Sequence, residues 1–236
     1  MKLGKASLVC AWVLAFIGAC EAGPITIQNY SFENATGYGG QTVQPSSWGS
    51  VQQTAGVSSN CQVIAATGYT GADGANMLLV NLDVSTTGTL TGTSWTATTS
   101  LGTYLANTSY TLTVGVAKSV ASNRLAVIAF GTDGTNLGTV AASQSIAGDL
   151  LSTTFQNLTL TLDTSATPSV VGQNIVVFLE HQALTGAMYG NEMAFDNVRL
   201  DSIAVPEPAT WVLLAFSLTG LVIFRRRAGN RTGFGG

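Results

Sequence analysis

The chain offers few of the residue groupings on which catalysis usually depends. His181 is the only histidine, and it directly follows Glu180 at the end of an apolar run. A lone histidine cannot assemble a zinc site, which requires three or four ligands. No Gly-x-Ser-x-Gly motif marks a nucleophilic serine. We therefore predict a non-catalytic protein. A carbohydrate-active enzyme is the alternative, and it would require two carboxyl groups converging across a cleft.

The charge balance and the cysteine content narrow the function classes further. Residues 23–204 hold ten acidic side chains and only three basic ones, Lys118, Arg124 and Arg199. A weakly charged, acidic surface lacks the basic patch that nucleic acids attract, so we expect no nucleic acid partner. Cys61 is the only cysteine in this range, which excludes a disulfide framework within one chain.

The elements that must position any site are β-strands. Apolar and β-branched residues alternate with threonine, and Gly, Asn, Asp and Ser separate the runs. No ten-residue stretch between Pro24 and Val205 has a helical apolar stripe. We predict an all-β, two-sheet antiparallel sandwich over residues 23–204. The predicted strands are 25–27, 77–80, 110–116, 125–130, 158–162, 175–179 and 195–200.

Two segments repeat one turn pattern. Residues 71–76 and 131–136 each contain Asp-Gly followed two residues later by Asn. Asp-Gly most simply forms a tight turn, because glycine accepts the left-handed backbone and aspartate bonds to nearby N–H groups. Calcium ligation by these loops is the alternative, although neither supplies the bidentate Glu of a dedicated calcium loop.

The N-terminus has the pattern of a secretory signal peptide. Lys2 and Lys5 precede an uncharged, apolar run over residues 6–19, and small residues follow it. We predict a signal peptide over residues 1–22, with cleavage after Ala22. The alternative is a lipoprotein signal ending in an acylated Cys20.

The C-terminus, residues 205–236, combines an extended motif, an apolar segment and an arginine cluster. Residues 209–224 carry no charge and would form a helix about 24 Å long, a little short of the ~30 Å hydrocarbon core. A cluster of arginines after such a helix stops transfer and keeps its end in the cytoplasm. The motif residues are Val205, Pro206, Glu207 and Pro208, and the stop-transfer residues are Arg225, Arg226 and Arg227.

This arrangement resembles the PEP-CTERM sorting signal of bacterial exported proteins. The resemblance implies recognition by an exosortase, removal of the tail, and delivery to the cell surface or extracellular matrix. We expect export through the cytoplasmic membrane and transient anchoring there by the C-terminal transmembrane helix. A plain single-pass anchor is the alternative, but it leaves the Pro-Glu-Pro motif unexplained.

The body resembles galactose-binding-like, carbohydrate-binding-module-type jelly rolls. Residues 29–33 (NYSFE) look like their opening segment, residues 106–114 like an internal turn and strand, and residues 194–200 (AFDNVRL) like their closing strand. In those domains the opening Glu and the closing Asp commonly hold a structural calcium ion. The resemblance therefore implies a calcium site at Glu33 and Asp196, with the hard oxygen ligands that Ca²⁺ prefers.

The same resemblance, together with export, implies a surface or matrix protein associated with exopolysaccharide. Its role would be glycan binding or structural packing. Sugar binding requires exposed aromatic side chains, whose rings stack on the apolar faces of sugars. The residues predicted to form such platforms are Trp48, Trp95 and Tyr104.

Overall fold

The computed structural model describes residues 23–33, 47–49, 52–53, 58–83, 93–118, 124–183, 191–205 and 216. Within these ranges the chain forms eleven strands and three short 3₁₀ helices, at Leu137–Thr139, Gly148–Leu150 and Pro168–Val170. The strands are β1 Gly23–Ile25, β2 Gln52–Gln53, β3 Ser58–Ala65, β4 Asn76–Asp83, β5 Thr93–Ala97, β6 Thr108–Lys118, β7 Arg124–Gly131, β8 Val140–Ala147, β9 Gln156–Asp163, β10 Val176–Ala183 and β11 Asn191–Ala204.

The strands form two sheets, and all paired strands within them are antiparallel. One sheet has the order β3-β4-β11-β6-β9, with β1 also paired to β11. The other has the order β2-β5-β10-β7-β8. This confirms the predicted all-β, two-sheet antiparallel class. The predicted signal peptide and C-terminal helix lie outside the described residues.

The core lies between the two sheets and follows from the period of two along each strand. In β6 the side chains of Tyr110, Leu112, Val114 and Val116 are buried, whereas those between them in the first half of the strand are only partly buried. Successive side chains of a strand point to opposite faces, so one set meets the facing sheet. The Tyr104 ring packs edge-on against Tyr110, with centroids 5.3 Å apart.

β11 is the central strand of the six-stranded sheet and the strand on which the site is built. It pairs with β4 and β1 on one side and with β6 on the other. Its register against β6 shifts between Asp196 and Arg199, which is a β-bulge. Asn197, within the bulge, has a left-handed backbone with φ of 50°. Such bulges redirect side chains, and here the bulge turns the closing Asp-Asn pair toward the segment that follows β1.

Candidate functional site

An open cleft lies where the segment after β1 crosses the bulge of β11. Its volume is about 460 Å³, and Tyr30 lines it with the bulge residue Asn197. The Val198 N–H donates to the Tyr30 carbonyl oxygen at 3.0 Å, which fixes this segment on the strand. The Tyr30 side chain is 45% exposed. The charged residues of the lining are Asp73, Arg199 and Asp201.

Tyr30 is a candidate that the sequence analysis missed. It lies within a turn, between Asn29 and Ser31, in the same NYSFE segment that carries the jelly-roll resemblance. Asn29 and Phe32 both have positive φ angles, of 54° and 57°. The Phe32 side chain is completely buried, whereas the Tyr30 side chain is half-exposed. An aromatic side chain next to Asn and Ser, two residues that favour turns, was the available signal.

Beneath the cleft, the carboxylates of Glu33 and Asp196 bind the same loop, residues 73–76. Glu33 Oε1 accepts hydrogen bonds from the N–H groups of Ala75 and Asn76, at 2.9 and 2.8 Å. Asp196 Oδ2 accepts from the Asp73 N–H at 2.6 Å, and its Oδ1 accepts from the Asn197 N–H at 2.7 Å. The two residues predicted as calcium ligands are thus brought to one loop from opposite ends of the domain.

The loop can approach Glu33 this closely because it contains Gly74. This residue has φ of 105°, and a Cβ placed on it would lie 2.5 Å from Glu33 Oε1. Only glycine adopts this conformation without strain and leaves room for the carboxylate. The Asp73-Gly74 sequence forms a bend in the loop between β3 and β4, not the predicted tight turn, and this bend is shaped to receive a carboxylate.

The carboxylates near this loop repel one another. Burial raises the pKa of the Asp196 carboxyl to about 6, and the negative charges of Asp73 and Glu33 also raise it. The hydrogen bonds from the N–H groups of Asp73 and Asn197 act in the opposite direction. A cation at this position would relieve the repulsion, since an opposite charge favours the ionised form of a carboxyl group.

The fit of a calcium ion to these residues is mixed. The oxygen donors are of the hard type that Ca²⁺ prefers. However, Glu33 Oε1 and both oxygens of Asp196 already accept backbone hydrogen bonds. Among the described residues, no group of three or more His, Cys, Asp or Glu side chains is placed to hold a metal ion. Calcium at Glu33 and Asp196 stays a prediction.

We expect a structural calcium ion to raise the melting temperature of the mature protein. A ligand that binds only the folded state stabilises that state by mass action. EDTA should then lower the melting temperature, and excess calcium should restore it, as followed by differential scanning fluorimetry. The Asp196→Asn variant should lose most of this response. Asp149→Asn, in the 3₁₀ helix after β8, should keep it. Melting that EDTA leaves unchanged in all three proteins would exclude the ion.

The three aromatic residues predicted as glycan platforms are buried. Trp48, Trp95 and Tyr104 are 6%, 4% and 1% exposed. The Trp48 ring packs against Phe32, and the Tyr104 hydroxyl donates to the Gly131 carbonyl oxygen at 3.1 Å. A stacking platform requires an exposed ring face, which these rings do not offer in this structure. Trp48 and Tyr104 belong to the core between the sheets, whereas Trp95 packs against Phe178 in a separate cluster on the other face of the five-stranded sheet.

Glu180 and His181 are neighbours on β10 and are both buried, and burial shifts their pKa values in opposite directions. His181 is fully buried, and its register partners are Ser94 of β5 and Ala126 of β7. Burial lowers the pKa of its imidazole to about 3, and the Arg124 charge lowers it further. Glu180 is paired with Trp95, and burial raises the pKa of its carboxyl to about 7.

Cys61 is free and fully buried, as the absence of a partner in the sequence predicts. Burial raises the pKa of its thiol, so the thiolate form needed for nucleophilic or metal chemistry is disfavoured. Glu180 and His181 point to opposite faces of their sheet, because successive residues of a strand alternate. Glu180 and His181 therefore do not form a side-chain pair, and His181 Nε2 has no hydrogen-bond partner among the described residues.

The comparison with known protein families shows which family the body of the chain belongs to. Residues 23–201 match the HpiC1-like family, described as HpiC1 cyclase. The chain belongs to the HpiC1-like family. Because that description is a cyclase, the prediction of a non-catalytic protein is not confirmed, and catalysis becomes a second candidate. No match was found among curated protein sequences.

Two solved cyclase structures with TM-scores above 0.5 share the fold of this HpiC1-like chain. A cyclase from Fischerella sp. TAU is 19% identical, with a TM-score of 0.58, over 79% of this chain and 100% of that one. A Stig cyclase, FisC, from the same source, in complex with (3Z)-3-(1-methyl-2-pyrrolidinylidene)-3H-indole, is 20% identical with a TM-score of 0.56 over 79% of this chain and 100% of that one. The family 11 carbohydrate-binding module from Clostridium thermocellum is 14% identical, with a TM-score of 0.45, over 79% of this chain and 99% of that one.

The predicted PEP-CTERM sorting motif is confirmed. Residues 204–227 match the PEP-CTERM protein-sorting motif. This motif implies processing by an exosortase and indicates export and sorting to the cell envelope. The motif residues Pro206, Glu207 and Pro208, the apolar segment except Phe216, and the arginine cluster lie outside the described residues. Within the described part of the chain, no helix is long and apolar enough to span a bilayer.

Proposed function

We propose that this HpiC1-like body is a glycan-binding domain whose site is the cleft beside Tyr30. The observation that carries the proposal is the half-exposed Tyr30 ring in an open cleft of about 460 Å³. An aromatic ring presents an apolar face on which a sugar stacks. Asp73, Arg199 and Asp201 surround it and supply acceptors and donors for sugar hydroxyl groups.

The sorting signal supports a proposal for where in the cell envelope this domain acts. We propose that the chain is exported with its signal peptide, is held briefly in the cytoplasmic membrane by the C-terminal helix, and is released when exosortase removes the tail. A released protein with a glycan-binding cleft would then associate with the exopolysaccharide of the cell surface or matrix. In this proposal the signal peptide is residues 1–22, the binding domain is residues 23–204, and the sorting signal is residues 205–236.

Replacing Tyr30 with alanine should weaken glycan binding by about two- to tenfold, since aromatic contacts of this kind contribute on the order of 0.5–1.5 kcal/mol. The probe is purified exopolysaccharide from the producing bacterium, and binding to the mature protein is measured by isothermal titration calorimetry. Tyr30→Phe keeps the ring and should retain most of the affinity. Leu150→Ala removes another exposed apolar side chain, 67% exposed, and should bind like the wild type. Equal affinities for Tyr30→Ala and wild type would exclude the Tyr30 cleft.

Acid-catalysed chemistry at Glu180 is the second candidate function. Glu180 is 8% exposed, lies beside the Trp95 indole, and has a carboxyl pKa of about 7. A carboxylic acid with this pKa is partly protonated at neutral pH and suits proton donation to a substrate. The family description, a cyclase, is consistent with such a role. The Tyr30 cleft is favoured over it because that cleft is open, whereas Glu180 and Trp95 are covered.

If Glu180 is a general acid, Glu180→Gln should abolish turnover while the protein stays folded, because an amide cannot donate the proton. The probe is 4-(1H-indol-3-yl)butan-2-one, the compound bound in a similar cyclase structure from Fischerella sp. TAU. Binding is measured by calorimetry, and conversion by mass spectrometry. Wild-type protein that neither binds nor converts this compound would count against a cyclase-like role. The Tyr30→Ala variant serves as control and should leave any conversion unchanged.

A further inference from the structure

The cleft beside Tyr30 is not isolated. A small cavity of about 110 Å³ shares Ile27 with it, and Gln28 and Ser47 also line this cavity. A third cavity, of about 570 Å³, shares residues 98–100 with the small one. The three cavities therefore adjoin one another, in the order Tyr30 cleft, small cavity, third cavity. Together they connect the β11 bulge of one sheet to the loops of the other.

The third cavity lies over loops of the five-stranded sheet, and most of its lining residues are Thr, Ser or Asn, whose side chains carry hydroxyl or amide groups. Its lining includes the segments after β5 and β7 and the residue Asn174 just before β10. The Ser100 hydroxyl donates to Asn174 Oδ1 at 3.2 Å, so these polar groups are held in place. Each of the two larger cavities falls within the ~300–1,000 Å³ range of pockets that hold a drug-sized ligand. One sugar ring would not fill them both.

The charges along these cavities are few and mostly negative. Asp73 and Asp201 line the Tyr30 cleft with Arg199, and Asp133 lines the third cavity. The Thr135 N–H and hydroxyl both donate to Asp133 Oδ1, at 2.9 and 2.8 Å. These hydrogen bonds hold the pKa of Asp133 below its usual range and keep it ionised. Three carboxylates against one guanidinium disfavour an anionic polymer.

We infer that the three cavities form one groove across the end of the sandwich, and that this groove binds an extended, uncharged polysaccharide chain. The inference rests on the proposed function, because the Tyr30 cleft is one end of the groove. Tyr30 would hold one sugar, and the hydroxyl groups and amide near Asn174 would hold sugars farther along the chain. Thr99 lies in the middle, since it lines both the small and the third cavity, and its side chain is exposed.

A block at Thr99 tests the groove. Exopolysaccharide from the producing bacterium is partly hydrolysed, separated by anion exchange into neutral and uronate-bearing pools, and sized into fragments of about two to eight sugars. Wild-type mature protein should bind neutral fragments with an affinity that rises at least about tenfold with length, which corresponds to about 1.4 kcal/mol. Thr99→Tyr should bind the shortest fragments like the wild type but lose the gain with length.

Thr161→Tyr is the matched control, because Thr161 is also an exposed threonine but lies on β9 and lines none of the three cavities. It should behave like the wild type, and equal melting temperatures show that each variant is folded. Binding of short fragments without a gain in affinity with length would overturn the groove and leave the Tyr30 site standing. Preference for uronate-bearing fragments, or a Thr99→Tyr variant that keeps the length dependence, would also overturn it. Absence of binding at every length would remove the groove and the proposed function together.

Discussion

Replacing Glu207 with alanine is expected to leave the full-length protein in the cytoplasmic membrane of a host that carries exosortase. The wild type should lose the residues beyond the Pro-Glu-Pro motif and leave that membrane. A plain anchor requires only apolar length and positive flanks, so it would be indifferent to Glu207. A protease signal requires the motif itself. Because Pro206 and Pro208 disfavour a helix, the sequence predicts that this segment is extended and accessible.

Neutral replacement of Arg225, Arg226 and Arg227 should fail in a different way. Without the positive charges the apolar segment loses its stop-transfer signal, and unprocessed protein should accumulate outside the cytoplasmic membrane. Intact mass spectrometry of the C-terminus, together with membrane fractionation, distinguishes the three outcomes. Wild-type protein that still contains Arg231 in such a host would show that the segment is an anchor and not a processed signal.

The second prediction with a large expected effect concerns the stability of the fold at acidic pH, which we expect to depend on His181. The His181 Nδ1 lies 3.0 Å from the Val80 carbonyl oxygen of the facing sheet, and the side chain is fully buried. Because a carbonyl only accepts, Nδ1 carries the proton in the neutral ring. Protonating the second nitrogen would place a new positive charge near the buried Arg124. The folded protein therefore resists protonation of this ring.

The sign of the pH effect follows from proton binding. The imidazole takes up a proton near pH 6.5 when unfolded and only near pH 3 when folded. Between these values the unfolded state binds more protons, so the contribution of His181 is present above pH 6.5 and is lost as the pH falls toward 3. Glu180 and Asp196 act oppositely. Their folded pKa values of about 7 and 6 are raised, so acidification favours the folded state at these two sites.

His181→Asn isolates this contribution, because the Asn amide can still donate to the Val80 oxygen but does not titrate. Between about pH 7 and pH 4 the difference in unfolding free energy should shift in favour of the variant by an amount on the order of 3 kcal/mol. Urea unfolding at several pH values measures this shift, and Glu180 and Asp196 cancel in the comparison. Parallel stability curves for the two proteins would contradict the buried, neutral His181.

Most central strands could be predicted from the sequence, whereas several others could not. Residues 110–116 and 125–130 alternate or run apolar strongly enough to identify β6 and β7. β2, β3, β5 and β8 were missed. Thr93–Ala97 and Val140–Ala147 contain Ser, Thr, Gln and Ala, whose pattern carries little periodic contrast. β8 forms one edge of its sheet, where fewer side chains need to be apolar.

Some features of the site could likewise be predicted from the sequence, and others could not. Glu33 and Asp196 could be paired by resemblance, and the structure does bring both carboxylates to one loop. Their pairing with the N–H groups of Asp73, Ala75 and Asn76 could not be predicted, because it depends on the left-handed Gly74 bend. The exposure of aromatic side chains could not be predicted either. From the sequence alone, a tryptophan in a strand and a tyrosine in a turn are equally possible stacking platforms. Tertiary packing decides which ring is exposed.

By itself, the sequence determined the all-β class and the C-terminal sorting signal, because both depend on local patterns. Strand periodicity and the order of the Pro-Glu-Pro motif, apolar segment and arginines are properties of consecutive residues. Only the tertiary structure decided which rings and carboxylates are available to a ligand. Trp48 and Tyr104 are buried in the core between the sheets, and Trp95 is buried with Phe178 on the other face of the five-stranded sheet. Tyr30 lies where the segment after β1 crosses the β11 bulge, and it stays half-exposed. Burial depends on residues distant in the chain, so no local pattern specifies it.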